Sequence, residues 1–178
     1  MLYSTKNGRI EIIGILLGKS CDMINVLNNE GQSVLHAACV YGDTEIVDIL
    51  LRSNSNINQC DKAKKTPLFI ACEEGYIDIV RLLIESKCEI FNHSLNGQTV
   101  LHAVCSGRDR SDGSYLELET FTKGHKDILT LLIDKTCDVN ISDNNSETPI
   151  TSITSTTNSM KYCLSTKTVI KYFTFTFN

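Results

Sequence analysis

The sequence lacks several patterns that identify common classes of protein. It has no C-x-x-C pair, and none of its apolar runs reaches the roughly 18 residues that a helix needs to span a bilayer. Its 17 lysine and arginine residues are scattered among 21 aspartate and glutamate residues, so no basic stripe is present to neutralise phosphates. We therefore expect no membrane-spanning segment and no nucleic-acid partner.

A clear secretion signal is also missing. The apolar stretch from Ile10 to Leu17 is interrupted by Glu11, and no basic segment followed by a clean apolar stretch and a small-residue cleavage site is found. The 178 residues are 42% hydrophobic and 21% charged, which is typical of one folded globular domain. We expect a cytoplasmic protein, with the nucleus as a second option, whose eight cysteines are reduced thiols.

The most informative feature of the chain is an internal repeat. The segments SVLHAAC, TPLFIAC and TVLHAVC begin at positions 33, 66 and 99, which are 33 residues apart. A second signature, such as GDTEIVDILL, starts at Gly42 and Gly75, and again at Gly124 after a spacing longer by 16 residues. An earlier copy starts at Gly8, and TPIT at 148–151 begins a weaker fifth unit. This periodicity predicts stacked copies of one structural unit.

Each unit is predicted to contain a helix, a tight turn, a second helix and an extended loop. Thr66 suits a helix N-cap, and Pro67 suits the first helical turn, where its missing N–H costs nothing. Gly75 can adopt the positive φ that ends a short helix. The apolar stripe of the second helix, from Ile79 to Ile84, is too broad for one neighbour, which favours a stacked solenoid.

These segments resemble the ankyrin repeat, whose pattern is D-x-x-G-x-T-P-L-H-x-A-A-x-x-G-H-x-E-I-V-x-x-L-L. The resemblance covers about four repeats over residues 8–151. It implies an all-α ankyrin-repeat solenoid of helix-turn-helix units joined by β-hairpin loops. We expect an array over 1–151, with units at 1–27, 28–60, 61–93 and 94–142, the last with the 16-residue insertion, and a degenerate unit from 143 onward. Residues 152–178 form a Ser/Thr-rich and aromatic tail without a defined fold.

The cysteines and histidines recur at equivalent positions of the repeat. Cys39, Cys72 and Cys105 share one position and Cys21, Cys88 and Cys137 share another, which favours a packing role because small thiols fill the space of an alanine. His36 and His102 each precede a cysteine by three residues, but they lie two repeats apart, too far for a shared zinc ion. We therefore expect no metal site, no cofactor and no enzymatic activity. For the two histidines, the resemblance implies structural hydrogen bonds between neighbouring hairpins.

The resemblance also implies that a protein partner binds the concave face, which hairpin tips and the exposed sides of the first helices form. Tyr41 is the best anchor in this set, since exposed aromatic side chains often dominate interfaces. The positions expected on this face are Asn29, Glu30, Gln32, Val40, Tyr41, Lys62, Ala63, Lys65, Glu73, Glu74, Leu95, Asn96, Gln98, Ser106, Asn144, Asn145 and Glu147.

Two segments allow more than one interpretation. The segment 106–123, which contains the 16-residue insertion, is expected to loop outward from the turn between two helices, either as a flexible loop or as a partner contact. Neither end of the chain carries a good polar cap for a solenoid, which favours a piece of a longer array or a truncated gene product. For the oligomeric state, we expect a monomer or one part of a longer chain.

The sequence therefore predicts a protein–protein interaction module that acts as a scaffold or adaptor. Two alternatives remain: a thiol-based redox or metal-binding protein, and a partnerless fragment of a longer ankyrin array.

Overall fold

Six α-helices form the part of the chain that the structure describes. The structure is a computed structural model, and it describes residues 24–106, 118–136, 139–149 and 151. The helices are α1 (Val34–Tyr41), α2 (Thr44–Arg52), α3 (Pro67–Glu74), α4 (Ile77–Glu85), α5 (Val100–Cys105) and α6 (Leu118–Thr136). Each odd-numbered helix pairs with the helix that follows it. The first helices α1, α3 and α5 pack in one row, and α2, α4 and α6 in a second. The predicted all-α repeat solenoid is confirmed.

The first helix of each unit begins at a hydroxyl residue, and a glycine ends α1 and α3. Thr66 accepts a hydrogen bond from the backbone N–H of Phe69 at 3.2 Å, and Pro67 occupies the first turn of α3. Gly42 and Gly75 follow α1 and α3 with φ angles of 71° and 78°. A residue with a side chain adopts that conformation only at a cost, so glycine fixes where these helices end.

The second helices supply most of the aliphatic core. In α2 the buried side chains are Ile46, Val47 and Leu50, and in α4 they are Ile79, Val80 and Leu83. The spacing i, i+1, i+4 places each set on one face of its helix. These faces join buried side chains of the first helices in one continuous hydrophobic core. Each unit therefore depends on its neighbours for burial, which is the basis of a repeat array.

A tight turn precedes each first helix, and we call these four segments (residues 28–32, 61–65, 94–98 and 143–147) the tip turns. Each closes through the same two backbone hydrogen bonds, for example from Asp61 N to Lys65 O at 3.0 Å and from Lys64 N to Asp61 O at 2.9 Å. The fourth position of each turn has a positive φ, at Gly31, Lys64, Gly97 and Ser146. No β-strand forms within the described ranges, so the expected hairpins are tight hydrogen-bonded turns.

Helix α6 begins earlier than the sequence predicts. It starts at Leu118, so residues 118–123 are helical although we expected them to belong to an outward loop. Gly124 therefore lies inside a helix. A Cβ atom at Gly124 would lie 2.5 Å from the carbonyl oxygen of Gly75, so only glycine allows this approach. No proline interrupts residues 118–136, so nothing in the local sequence forces a break between the insertion and the helix.

Two helix ends store backbone strain. After α2 and α4, Asn54 and Lys87 have φ angles of 61° and 62°, where the repeat pattern usually places glycine. Asparagine tolerates this conformation better than lysine, whose cost relative to glycine is up to about 1 kcal/mol. The array is therefore less stable than one with glycine at each helix end.

Several expectations concern residues outside the described ranges. These are the copy of the second-helix signature at Gly8, the cysteines Cys21 and Cys137, residues 107–117 of the insertion, and the tail at 152–178. Within the described ranges, none of the helices is both long enough and apolar enough to cross a membrane.

Candidate functional site

The tip turns are joined to one another by backbone hydrogen bonds. Lys62 N donates to Glu30 O, Leu95 N donates to Ala63 O, and Asn144 N donates to Asn96 O, each at 2.9 Å. The donor and acceptor positions are equivalent at each junction. The four turns therefore form one continuous ridge along the array, and we call this series of bonds the tip ladder.

The tip ladder brings together many of the residues predicted to contact a partner. Leu95 is the largest exposed apolar side chain on the ridge, with 54% of its surface accessible. The turns expose the side chains of Asn29, Glu30, Lys62, Ala63, Leu95, Asn96, Asn144 and Asn145. Gln32, Gln98 and Glu147, which close three of the turns, are half-buried. All of these positions lie on the ridge, as the sequence predicts.

The first helices contribute less accessible surface than expected. Tyr41, the last residue of α1, has 69% of its side chain exposed, and Ser106, which follows α5, is also exposed. Val40 is half-buried. The accessible part of the predicted surface on the helices is therefore concentrated near Tyr41 and Ser106.

Lys65 and Glu73 form an ion pair that crosses from a tip turn to α3. The Lys65 ammonium lies 2.8 Å from Glu73 Oε2 and 5.1 Å above the centre of the Phe69 ring. Since both charged side chains are mostly buried, this contact supports the turn and offers a partner little free charge.

Glu74 differs from the sequence-based expectation of an accessible position. Only 9% of its surface is exposed. Helix α3 lies between α1 and α5, so both of its flanks are covered. The repeat pattern places Tyr41 and Glu74 at the same position of successive units, but it does not show that their burial differs.

Sequence analysis also missed exposed residues near the ridge. Lys64 is exposed at the tip of its turn, and Ala37 is exposed on α1. Phe91 has 69% of its side chain exposed and lines a shallow apolar groove with Ile90, Val100 and Ile141. The sequence signal for Phe91 is the loss of an asparagine, because Asn25 and Asn58 occupy the equivalent positions of earlier units.

Buried histidines fasten the first helices to the tip turns of the next unit. His36 Nδ1 accepts the backbone N–H of Ser33 at 3.1 Å, so its proton is on Nε2, which donates to Lys65 O at 3.2 Å. His102 repeats this arrangement with Thr99 at 3.1 Å and with Glu147 O at 2.9 Å. The predicted structural role of both histidines is confirmed by these bonds.

Acid is expected to weaken the fold through His36. Burial lowers the pKa of His36 below its usual 6.5, against smaller raising effects of the Lys65 carbonyl and Asp61. The unfolded chain therefore binds more protons than the folded chain just below pH 6.5, so the stabilising contribution is complete above that pH and is lost as the pH falls below it. Denaturant unfolding at several pH values between about 5 and 8 measures this slope.

A matched variant isolates the contribution of this histidine. The third unit has Phe69 at the position equivalent to His36, so the fold already accommodates a phenylalanine at this position, and His36→Phe is a suitable variant. The difference in stability between wild type and His36→Phe should shrink towards acid. A difference that stays constant across the range would contradict the argument.

The buried thiols are poorly suited to chemistry. Cys39 and Cys72 are fully buried, and burial raises the pKa of both thiols well above its usual value. Burial also raises the pKa of Cys88 to about 11. Since the thiolate is the reactive form, these three positions do not favour a redox or metal-binding role. Among the described residues, no group of three or more His, Cys, Asp or Glu side chains is arranged to hold a metal ion.

Comparison with known proteins identifies the repeats. A family model described as ankyrin repeats in three copies matches residues 1–92. The chain is 32% identical over 88 residues to a protein of Rickettsia bellii named "Putative ankyrin repeat protein", covering 48% of this chain and 14% of that one. It is 37% identical over 59 residues to a rice (Oryza sativa subsp. japonica) protein named "Probable E3 ubiquitin-protein ligase XBOS32", covering 33% of this chain and 12% of that one. The matched segments are therefore small parts of both relatives.

Proposed function

Because the chain belongs to the ankyrin-repeat family, whose repeats generally mediate protein–protein interaction, we propose that it is a scaffold or adaptor module that binds a protein partner through its ridge of tip turns. The proposed contact surface comprises the exposed side chains of the turns together with Tyr41 and Ser106.

The observation that carries this proposal is that an equivalent backbone hydrogen bond joins the turns at each junction of the tip ladder. Lys62, Leu95 and Asn144 each use the backbone N–H to reach the preceding turn. The side chains of Lys62 and Leu95 are exposed and take no part in these backbone bonds, whereas Asn144 Nδ2 also donates to Leu95 O at 3.0 Å. At Lys62 and Leu95, the ridge therefore separates the groups that support the fold from the groups that are available to a partner.

The ridge is also held in place before a partner arrives. Within each turn an aspartate, asparagine or serine side chain caps backbone N–H groups, as Asp61 does for Ala63 and Lys65 at 2.8 Å each. A surface whose backbone is fixed loses less conformational entropy on binding. This property suits recognition by a rigid module.

The exposed chemistry of the ridge changes from turn to turn. Lys62 and Lys64 make the second turn cationic, Leu95 gives the third an apolar side chain, and Asn144 and Asn145 give the fourth two exposed amide side chains. A partner that lies along the ridge meets these groups in order. Tyr41 and Leu95 are the proposed anchors, since aromatic side chains often dominate interface energetics and burying Leu95 would remove apolar surface from water.

Site-specific photo-cross-linking in cell lysate tests the proposal. One version of the chain carries a photoreactive amino acid at Asn96 on the ridge, and a matched control carries it at Glu85, an exposed residue at the end of α4. We expect a discrete protein adduct at Asn96 and none at Glu85. Adding Leu95→Asp to the Asn96 version should reduce the adduct by about tenfold or more if Leu95 is an anchor.

The design has two outcomes that contradict the proposal. One is a partner that cross-links at Glu85 and not at Asn96, and the other is an adduct at Asn96 that Leu95→Asp leaves unchanged. Circular dichroism of each version ensures that all are equally folded. The backbone bond of Leu95 in the tip ladder does not depend on its side chain, so Leu95→Asp should fold normally.

The proposal extends to the cellular compartment. The described cysteines, Cys39, Cys60, Cys72, Cys88 and Cys105, are free thiols, which is the state that the cytoplasm and nucleus maintain. We propose that the interaction takes place in one of these compartments.

A further inference from the structure

Side-chain hydrogen bonds reinforce the junctions between successive units, in addition to the tip ladder. Between the second and third units, His36 Nε2 bonds to Lys65 O at 3.2 Å, and Asn58 Oδ1 accepts the backbone N–H of Glu89 at 2.9 Å. We call these two contacts the histidine tether and the asparagine tether. Both bind a side chain of one unit to the backbone of the next.

The same tethers recur at other junctions. Between the fourth and fifth units, the histidine tether runs from His102 to Glu147 O at 2.9 Å. Between the first and second units, the asparagine tether runs from Asn25 Oδ1 to the backbone N–H of Asn56 at 2.8 Å. Each kind of tether therefore occurs at more than one junction of the array.

The junction between the third and fourth units has phenylalanine at both tether positions. Phe69 stands where His36 and His102 stand in their units, and Phe91 stands where Asn25 and Asn58 stand. A phenyl ring has no nitrogen or oxygen, so neither tether can form here. The contacts that remain include the tip-ladder bond from Leu95 N to Ala63 O at 2.9 Å and the contact of His125 Nε2 with Glu73 O at 3.2 Å.

Replacing a tether by a phenyl ring changes the kind of contact at the junction. Phe69 is buried and contributes apolar packing, while Phe91 is largely exposed. Apolar contact is non-directional and tolerates small rotations, whereas a hydrogen bond weakens steeply when its distance and angle change. In a repeat array, each unit contacts only its neighbours. The units on the two sides of a junction are therefore held together by the interface at that junction.

We propose that the junction between the third and fourth units is a hinge, at which the array opens while the helices on both sides remain folded. The hinge separates α1 to α4 from α5 and α6. It is a property of the fold and does not depend on the identity of a partner. Its opening breaks the bond from Leu95 to Ala63 before the equivalent bonds of the neighbouring junctions.

Amide hydrogen exchange of the full chain, measured by NMR, tests the hinge at three equivalent amides. The amides of Lys62, Leu95 and Asn144 make the tip-ladder bonds of three successive junctions. After correction for intrinsic rates, Leu95 should be protected about tenfold less than both Lys62 and Asn144, the effect expected for roughly one to two missing hydrogen bonds. Fraying from the C-terminal side would instead expose Asn144 at least as readily as Leu95.

Two variants exchange the residues found at this position: one replaces phenylalanine by histidine, and the other replaces histidine by phenylalanine. Phe69→His puts a histidine at the position equivalent to His36. Because His36 Nε2 bonds to Lys65 O, the new Nε2 should reach Gln98 O, the equivalent carbonyl of the next turn. This variant should raise the protection of Leu95 about tenfold and leave Lys62 unchanged. His36→Phe should do the reverse, lowering the protection of Lys62 about tenfold without affecting Leu95.

Either of two results overturns the hinge. The first is a Leu95 amide that is protected as well as either of its counterparts in the wild-type chain. The second is a folded Phe69→His variant in which the protection of Leu95 does not rise. The wild-type comparison stands on its own if one of the variants fails to fold.

Discussion

Replacing Gly75 with alanine is expected to lower the free energy of unfolding by roughly 2–4 kcal/mol. Gly75 has a φ of 78°, which alanine adopts at a cost of about 1 kcal/mol. A Cβ atom there would lie 2.3 Å from His125 Cε1 and 2.6 Å from its Nδ1. The His125 ring is buried and its Nε2 contacts Glu73 O at 3.2 Å, so it cannot move away without losing that contact. Denaturant titration followed by circular dichroism measures the loss.

A double-mutant cycle separates the two costs. In a His125→Ala background the ring is absent, so Gly75→Ala should cost only the backbone term of about 1 kcal/mol. Lys87 shows that this fold tolerates a side chain at a φ of 62° where no close contact is involved. Equal losses in the two backgrounds would mean that contact with His125 is not the cause.

Replacing Cys72 with serine is expected to cost roughly 2–4 kcal/mol, whereas Cys72→Ala should cost only about 1 kcal/mol. Cys72 is fully buried in the core, and its raised pKa keeps the thiol neutral, so it behaves as a small apolar group. A serine hydroxyl at this position can donate to the Leu68 carbonyl one turn earlier, as Ser53 donates to Ile49 O, but burying the hydroxyl still removes more hydration than burying the thiol does. Unfolding titrations of the two variants give the comparison.

Thiol labelling under native conditions complements this comparison. Cys60 is exposed and should react with a thiol reagent at once, while Cys39 and Cys72 should react only on the timescale of unfolding. Equal stabilities of the serine and alanine variants, or rapid labelling of Cys72 in the folded chain, would contradict the packing role and favour a chemical one.

Much of the fold could be predicted from the 33-residue period. The period places Thr66 and Thr99 at equivalent helix starts and Gly42 and Gly75 at equivalent helix ends, and local chemistry then fixes each boundary. The start of α6 could not be predicted in this way. Residues 118–123 belong to the inserted segment and have no counterpart in the other units, so the period says nothing about their structure.

The candidate surface was predictable in its position but not in its accessibility. The repeat pattern placed Lys62, Leu95 and Asn144 on neighbouring turns, and the structure brings them together. It could not show that Glu74 is buried or that Glu73 is paired with Lys65, since burial depends on which helices flank a position. Phe91 was missed because a departure from a pattern is harder to interpret than agreement with it. Which of these residues a partner contacts stays a prediction.

The tip ladder also determines where this chain accommodates extra length. Lys62 and Leu95 are 33 residues apart, whereas Leu95 and Asn144 are 49 apart, yet all three make bonds of 2.9 Å to the preceding turn. The additional residues lie in the chain between the end of α5 and Gly124 of α6, and the spacing of the ladder is unchanged. A single residue added inside a turn would instead shift every donor relative to its acceptor. The connections between paired helices are thus the sites where insertions, tags or grafted peptides can enter without disturbing the array.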